Sequence, residues 1–101
     1  MAKRCMIRRE LRRTELRNKF WNKRVALKAI INSRETTLEE KEDAQAAISR
    51  IPRDSSKVRE TKRCQITGRA RGVYRVFGMC RNMIRVYAML GYIPGLHKAS
   101  W

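Results

Sequence analysis

Residues 64–80 read CQITGRARGVYRVFGMC. Two cysteines enclose three glycines and three arginines, so the stretch suits a metal site, a redox pair or a loop that grips phosphate. All five glycines of the chain, at positions 68, 72, 78, 91 and 95, lie in its last third. That clustering predicts a tightly turning, mostly irregular module, with residues 64–77 as short extended pieces linked by glycine turns. A helix follows, from Met79 or Cys80 to Leu90. Gly91 ends it, and GYIPGLHKASW leaves as an extended tail.

The metal reading fails on donor count. A structural zinc site takes four Cys or His ligands, often as two C-x2-C knuckles. Cys64 and Cys80 each open a knuckle, but Thr67 and Met83 stand where their partners belong. Cys5 and His97 would have to be brought from opposite ends of the chain. A disulfide between Cys64 and Cys80 suits neither a reducing compartment nor a chain whose three cysteines are scattered. The simplest reading is two buried thiols acting as small apolar groups. Catalysis has no better footing. His97 has no acid within the last 41 residues to orient it, and GRARG lacks the Gly-Lys-Ser/Thr of a phosphate-binding P-loop.

What remains is phosphate. Gly68 and Gly72 let the backbone turn sharply, while Arg69, Arg71 and Arg75 project from the same short segment. The planar guanidinium fork matches phosphate oxygens and also stacks on bases. Phe77 is expected in the module's small core; Tyr74 serves equally there or stacked on a nucleotide. In the helix, Cys80, Met83, Ile84, Tyr87 and Leu90 make one apolar face. Arg81 and Arg85 share another face with the small Ala88 beside them, where a bulky partner can come close.

The totals agree. The chain has 101 residues, 25 Lys and Arg against 9 Asp and Glu, and a formal net charge of +16. A chain this short has little core for an enzyme pocket, and this excess charge calls for a polyanionic partner. Residues 1–34 hold 12 basic and 2 acidic side chains, residues 35–60 hold 5 and 7, and residues 61–101 hold 8 and none. Two polyanion contacts joined by a near-neutral connector follow from that pattern. No apolar run reaches membrane-span length, MAKRCMIRRELRR lacks a signal-peptide core, and Glu10 and Glu15 speak against a mitochondrial presequence. A soluble protein is the expectation.

The basic head reads as helix from Lys3 to Ile31, free of Gly and Pro and rich in good helix formers. Leu16, Phe20, Leu27 and Ile31 fall on one stripe, with Lys23 interrupting it. Before Leu11 the stripe fades, and Arg8, Arg9, Arg12 and Arg13 surround the helix with charge. Such a start is weakly held alone and is expected to order against a partner. A second helix begins at Thr37, where TLEE is a capping box, and Pro52 stops it. Its apolar face is Ala44, Ile48 and Ile51. PRDSSKVRETK reads as an exposed connector. The division is therefore an N-terminal helical arm at 1–51, a connector at 52–62 and a compact anion-gripping module with helix and tail at 63–101. The fold class is mainly α, extended and irregular. Composition alone leaves DNA and RNA open, including a general basic architectural protein of nucleic acids, although an irregular Gly/Arg module suits folded RNA.

The segment RCQITGRARGVYRVFGMCRNMIR at 63–85, followed by GYIPGLHKASW at 91–101, closely resembles the small-subunit ribosomal protein S-fourteen family. The family pattern is matched by Arg63, Cys64, Thr67, Gly68, Arg69, Arg71, Gly72, Arg75, Phe77, Gly78, Arg81 and Arg85. Gly91, Ile93, Pro94, Gly95, Lys98, Ala99, Ser100 and Trp101 match it too, and IPRDSS at 51–56 resembles its connector. The family has a short form with a complete two-knuckle zinc site and a long form without it. This chain resembles the long, zinc-free bacterial or organellar form. The resemblance implies a zinc-ribbon-like module without complete ligands, in which Cys64 and Cys80 are remnants of the metal site. It implies no cofactor and no enzymatic activity.

By the same resemblance the chain is a structural constituent of the small ribosomal subunit, in a bacterial cytoplasm or an organelle. It would bind the 3′ major domain of the small-subunit rRNA in the head, support head assembly and the decoding region, and neighbour the proteins S-three, S-ten and S-nineteen. The expected RNA-contacting residues are Arg8, Arg9, Arg12, Arg13 and Arg53 in the arm and connector, and Arg63, Arg69, Arg71, Arg75, Arg81 and Arg85 in the module. Lys98, Ser100 and Trp101 complete the set in the tail.

Overall fold

A computed structural model of the chain describes residues 1–100. It is mainly helical: α1 (Arg4–Asn32), α2 (Leu38–Arg50), two short 3-10 turns at Arg53–Ser55 and Lys57–Arg59, strands β1 (Val73–Tyr74) and β2 (Met79–Cys80), and α3 (Arg81–Met89). Its contacts separate into two units, one from Arg8 to Glu60 and one formed by Met1–Ile7 with the chain from Thr61 onward. This division falls differently from the one drawn on charge, because the first seven residues pack with the Gly/Arg module rather than with the helical arm.

In the first unit, α1 and α2 form where expected, to within a residue or two. The stripe residues Leu16, Phe20, Leu27 and Ile31 are half-buried, and Lys23 is exposed. The interruption is Arg24, not Lys23. Half-buried or buried positions recur at 10, 13, 17, 20, 24, 27 and 31, the alternating three-and-four spacing of a helix seam. The N-terminal half of that seam is built from charge. Glu10, only 8% exposed, pairs with Arg13 at 3.3 Å. Arg13 also reaches Asp54 at 3.4 Å and the Arg59 carbonyl at 3.4 Å. Arg17 pairs with Glu60 at 2.9 Å, and the Thr14 hydroxyl donates to the same carboxylate.

Arg24 closes the seam. Its Nε donates to the Ser55 hydroxyl at 2.9 Å, and Ser55 in turn donates to the Pro52 carbonyl. Ser55 is 1% exposed, so the connector is not exposed throughout as expected; it is coiled into 3-10 turns and pinned to α1. The sequence reading missed this because a serine followed by charged residues looks soluble until its hydroxyl is given a buried donor.

The α2 start is the expected capping box: the Thr37 hydroxyl accepts from the Glu40 N–H, and the Glu40 carboxylate accepts from the Thr37 N–H at 3.1 Å. Ala44 and Ile51 are buried, Ile48 is half-buried, and Ile51 leaves the helix in an extended conformation ahead of Pro52.

The second unit is organised around Cys64 and Cys80, at 3% and 1% exposure. Residues 65–67 form a turn, and β1 pairs antiparallel with β2 in the register Val73 with Cys80 and Tyr74 with Met79. Met79 and Cys80 are therefore strand rather than the first turn of the helix, which begins at Arg81. Gly91 ends α3 as a Schellman motif: the Tyr92 N–H donates to the Tyr87 carbonyl at 3.0 Å and the Gly91 N–H to the Ala88 carbonyl at 3.1 Å. The hydrophobic contact that accompanies this motif is made by the Tyr87 and Tyr92 rings, 5.5 Å apart. Past it the tail turns at Pro94 and Gly95, with the Leu96 N–H donating to the Ile93 carbonyl, instead of running straight out.

Two expected core residues stand outside. Leu90 is 63% exposed, since the helix ends before its side chain can turn inward, and Phe77 is 36% exposed at the hairpin tip. The N-terminus packs onto the module. The Ala2 N–H donates to the Thr67 carbonyl at 3.2 Å, and Ile7 lies against Gly68 so closely that an added Cβ would meet Ile7 Cδ1 at 2.8 Å.

These contacts set two expectations for unfolding measurements in urea. Arg24→Ala should cost about 1–3 kcal/mol, the penalty for leaving a buried hydroxyl short of its donor, whereas Lys23→Ala should stay within ~0.5 kcal/mol. Gly68 and Gly95 have similar positive φ, +72° and +76°, but only Gly68 is crowded. Gly95→Ala should cost roughly 1 kcal/mol of backbone strain, and Gly68→Ala clearly more.

Candidate nucleic-acid interface

The module's loop is shaped by a short set of backbone bonds. The Cys64 N–H donates to the Arg69 carbonyl at 2.9 Å, and the Gly68 N–H returns to the Cys64 carbonyl at 2.8 Å. The Gln65 N–H donates to the Gly78 carbonyl at 3.0 Å, and the Arg81 N–H to the Gly72 carbonyl at 2.8 Å. Gly68, Gly72 and Gly78 all hold positive φ. The result is a backbone that doubles back repeatedly within a few residues and throws its arginines outward.

Burial pushes the Cys64 thiol up, yet hydrogen bonds outweigh it. The Thr67 hydroxyl and the backbone N–H groups of Thr67, Cys80 and Ile66 converge on the sulfur and lower its pKa from 9.0 to about 6. Thr67 Oγ1 also lies 3.7 Å from Cys80 Sγ, so one hydroxyl serves both thiols. Among the described residues no group of three or more His, Cys, Asp or Glu side chains gathers in a metal-binding array.

The unit carries ten basic side chains, with Lys3 and Arg4 added to the eight after residue 60, and no Asp or Glu. Arg71, Arg75, Arg81 and Arg85 are exposed, and Arg69 is half-buried. Arg63 is half-buried and partly committed to the fold: one terminal nitrogen donates to the Gly68 carbonyl at 2.9 Å, while Nε is buried without a partner among the described residues. Lys98 and Ser100 are exposed, and Trp101 lies outside the described residues.

In the other unit Arg8, Arg9, Arg12 and Arg53 are exposed. Arg13 differs, because its guanidinium is already shared among Glu10, Asp54 and the Arg59 carbonyl.

The structure also assembles what the sequence reading left apart. Tyr74 from β1, Arg81, Arg85 and Ala88 from α3, and His97 and Lys98 from the tail line one open cavity of about 450 Å³. His97 was not among the expected contacts, whereas Tyr74 takes the exposed position that stacking on a nucleotide needs. The signal for His97 was the Pro94–Gly95 pair, a turn signature that folds the tail back.

The lowered Cys64 pKa sets a pH dependence. Between about 6 and 9.0 the unfolded chain holds a proton that the folded one has released, so folding gains stability as pH rises through that window and loses it as pH falls toward 6. Urea midpoints measured from pH 6 to 9 should climb more steeply for the unaltered chain than for Cys64→Ala. Parallel trends would mean that the thiol stays protonated.

Comparison with known proteins bears on the same residues. The family model of ribosomal protein S14p/S29e matches residues 47–100. The chain is 52% identical, over all 101 residues and the full length of the relative, to small ribosomal subunit protein uS14 of Xanthomonas campestris pv. campestris (strain B100). The same identity and coverage hold for uS14 of Xanthomonas oryzae pv. oryzae (strain PXO99A), and uS14 of Stenotrophomonas maltophilia (strain K279a) is 48% identical, again over both full lengths. Sharing the family's pattern across its second half and matching these relatives from end to end, the chain belongs to the ribosomal protein S14p/S29e family.

Proposed function

We infer that this chain is a structural, non-enzymatic constituent of the small ribosomal subunit and that its acid-free Gly/Arg module grips the subunit's rRNA. The observation that carries the reading is the ten basic side chains gathered in one small unit with no carboxylate side chain to pair them. Folded RNA supplies the missing negative charge, and its crowded phosphates need cations in order to pack. Family membership and the relatives' name as small ribosomal subunit proteins support the ribosome as the place of action. No helix among the described residues is long and apolar enough to cross a membrane.

The finer assignment follows the family resemblance. The site is the subunit head, on the 3′ major domain of the rRNA, beside S-three, S-ten and S-nineteen. Arg63, Arg69, Arg71, Arg75, Arg81 and Arg85 form the main grip, and Lys98, Ser100 and Trp101 extend it. Arg8, Arg9, Arg12 and Arg53 make a second contact, with Arg13 shaping the connector behind them. Glu35, Glu39, Glu42 and Asp43 cluster around the start of α2, where phosphate would be repelled; that end suits a basic protein neighbour. Cys64 and Cys80 keep the outline of a two-knuckle zinc module, with hydrogen bonds from Thr67 in place of the metal. Two thiols and a hydroxyl make a poor zinc set, and no role is given to the ion.

Arg69→Ala combined with Arg71→Ala tests the grip. Incorporation into small subunits, measured across a salt series, should weaken, with the slope of log affinity against log salt falling by roughly 0.7–0.9 for each lost phosphate contact. A double variant that assembles as well as the unaltered chain at high salt would place the grip elsewhere.

A further inference from the structure

We propose that the cavity beside α3 is a receptor for one unstacked nucleotide of the rRNA, its base held on the apolar floor and its phosphates on the basic rim. The proposal rests on the rRNA-binding reading and adds a specific site to it. Its apolar lining is Ile84, Ala88 and Met89 of α3, Leu96 from the returning tail and the ring of Tyr74, which is 56% exposed; Arg81 and Arg85 fall between Ala88 and Met89 around the helix. The rim is cationic. Arg81 and Arg85 lie one helical turn apart on the same side, and Lys98 stands with them.

A phosphate backbone running past would use only the rim. It would leave a cavity of about 450 Å³ open to water beside it, with Tyr74, Met89 and Leu96 solvated. A base swung out of its stack uses both halves. Every base offers a π-face to an aromatic ring, and RNA is read mainly through such splayed nucleotides. The small Ala88, beside Arg81 on the helix surface, leaves room for a flat ring to approach the helix. A peptide occupant would need carboxylates to meet three cations, whereas a nucleotide brings the charge and the planar apolar surface together. His97 lies at the same mouth and offers ring nitrogens to a base edge.

Small subunits carrying the unaltered chain should yield, after ultraviolet irradiation and digestion, a nucleotide adduct on a peptide containing Tyr74 or residues 96–98. Subunits carrying Tyr74→Ala, or Ala88→Trp to fill the cavity, should show one rRNA base with about tenfold higher chemical modification than in unaltered subunits. Tyr74 is exposed, so its truncation leaves the fold intact, and the crosslink requires no variant. The proposal fails if adducts fall only on other peptides of the module and base reactivity is unchanged in both variants. That outcome would leave the rRNA-binding reading standing. Absence of the unaltered chain from small subunits would overturn both.

Discussion

Nine carboxylates face twenty-five cations in this chain, and where the fold places those nine decides almost everything else. Glu10, Asp54 and Glu60 are drawn onto the α1 seam, where Arg13, Arg17 and Arg59 meet them at 2.9–3.4 Å. Glu40 closes the capping box of α2. None is left for the unit built from the N-terminus and the Gly/Arg module. Exposed ion pairs contribute little one by one, but here several are half-buried and share partners, which fixes geometry more than it adds stability. The same distribution leaves the module with a field that only an external polyanion can neutralise.

Inside the module the constraint is size. A unit of fewer than fifty residues with two-residue strands has almost no apolar core. Here the two thiols are buried, with Thr67 bridging them and the N-terminal Ala2 and Ile7 packed over Gly68. Converging hydrogen bonds hold the Cys64 pKa below the usual thiol range despite its burial.

Much of this was legible in the sequence because it depends on local chemistry. The Gly- and Pro-free run of α1, the TLEE capping box, the stop at Pro52 and the end of α3 at Gly91 are all set by neighbours in the chain. The burial of Cys64 and Cys80 was legible once the missing partners at 67 and 83 were noticed. Long-range matters were not. Arg13, Arg17 and Arg24 look like solvated or RNA-facing charges until the connector folds onto them, and a helix stripe read for hydrophobic residues alone passes over a seam made of arginine. Phe77 was assigned to the core by its type, yet at the hairpin tip it keeps 36% of its surface exposed. The docking of Met1–Ile7 depends on a glycine sixty residues away, which no periodicity encodes.

The central claim is that this charge distribution exists to hold the chain on small-subunit rRNA. Sedimentation of the unaltered chain from a lysate through a sucrose gradient at high salt tests it most directly. Stoichiometric comigration with the small subunit is the predicted result, because contacts shaped by the folded module outlast the screening of loose charge. Release to the top of the gradient would contradict the account, showing that the basic residues bind RNA by charge alone.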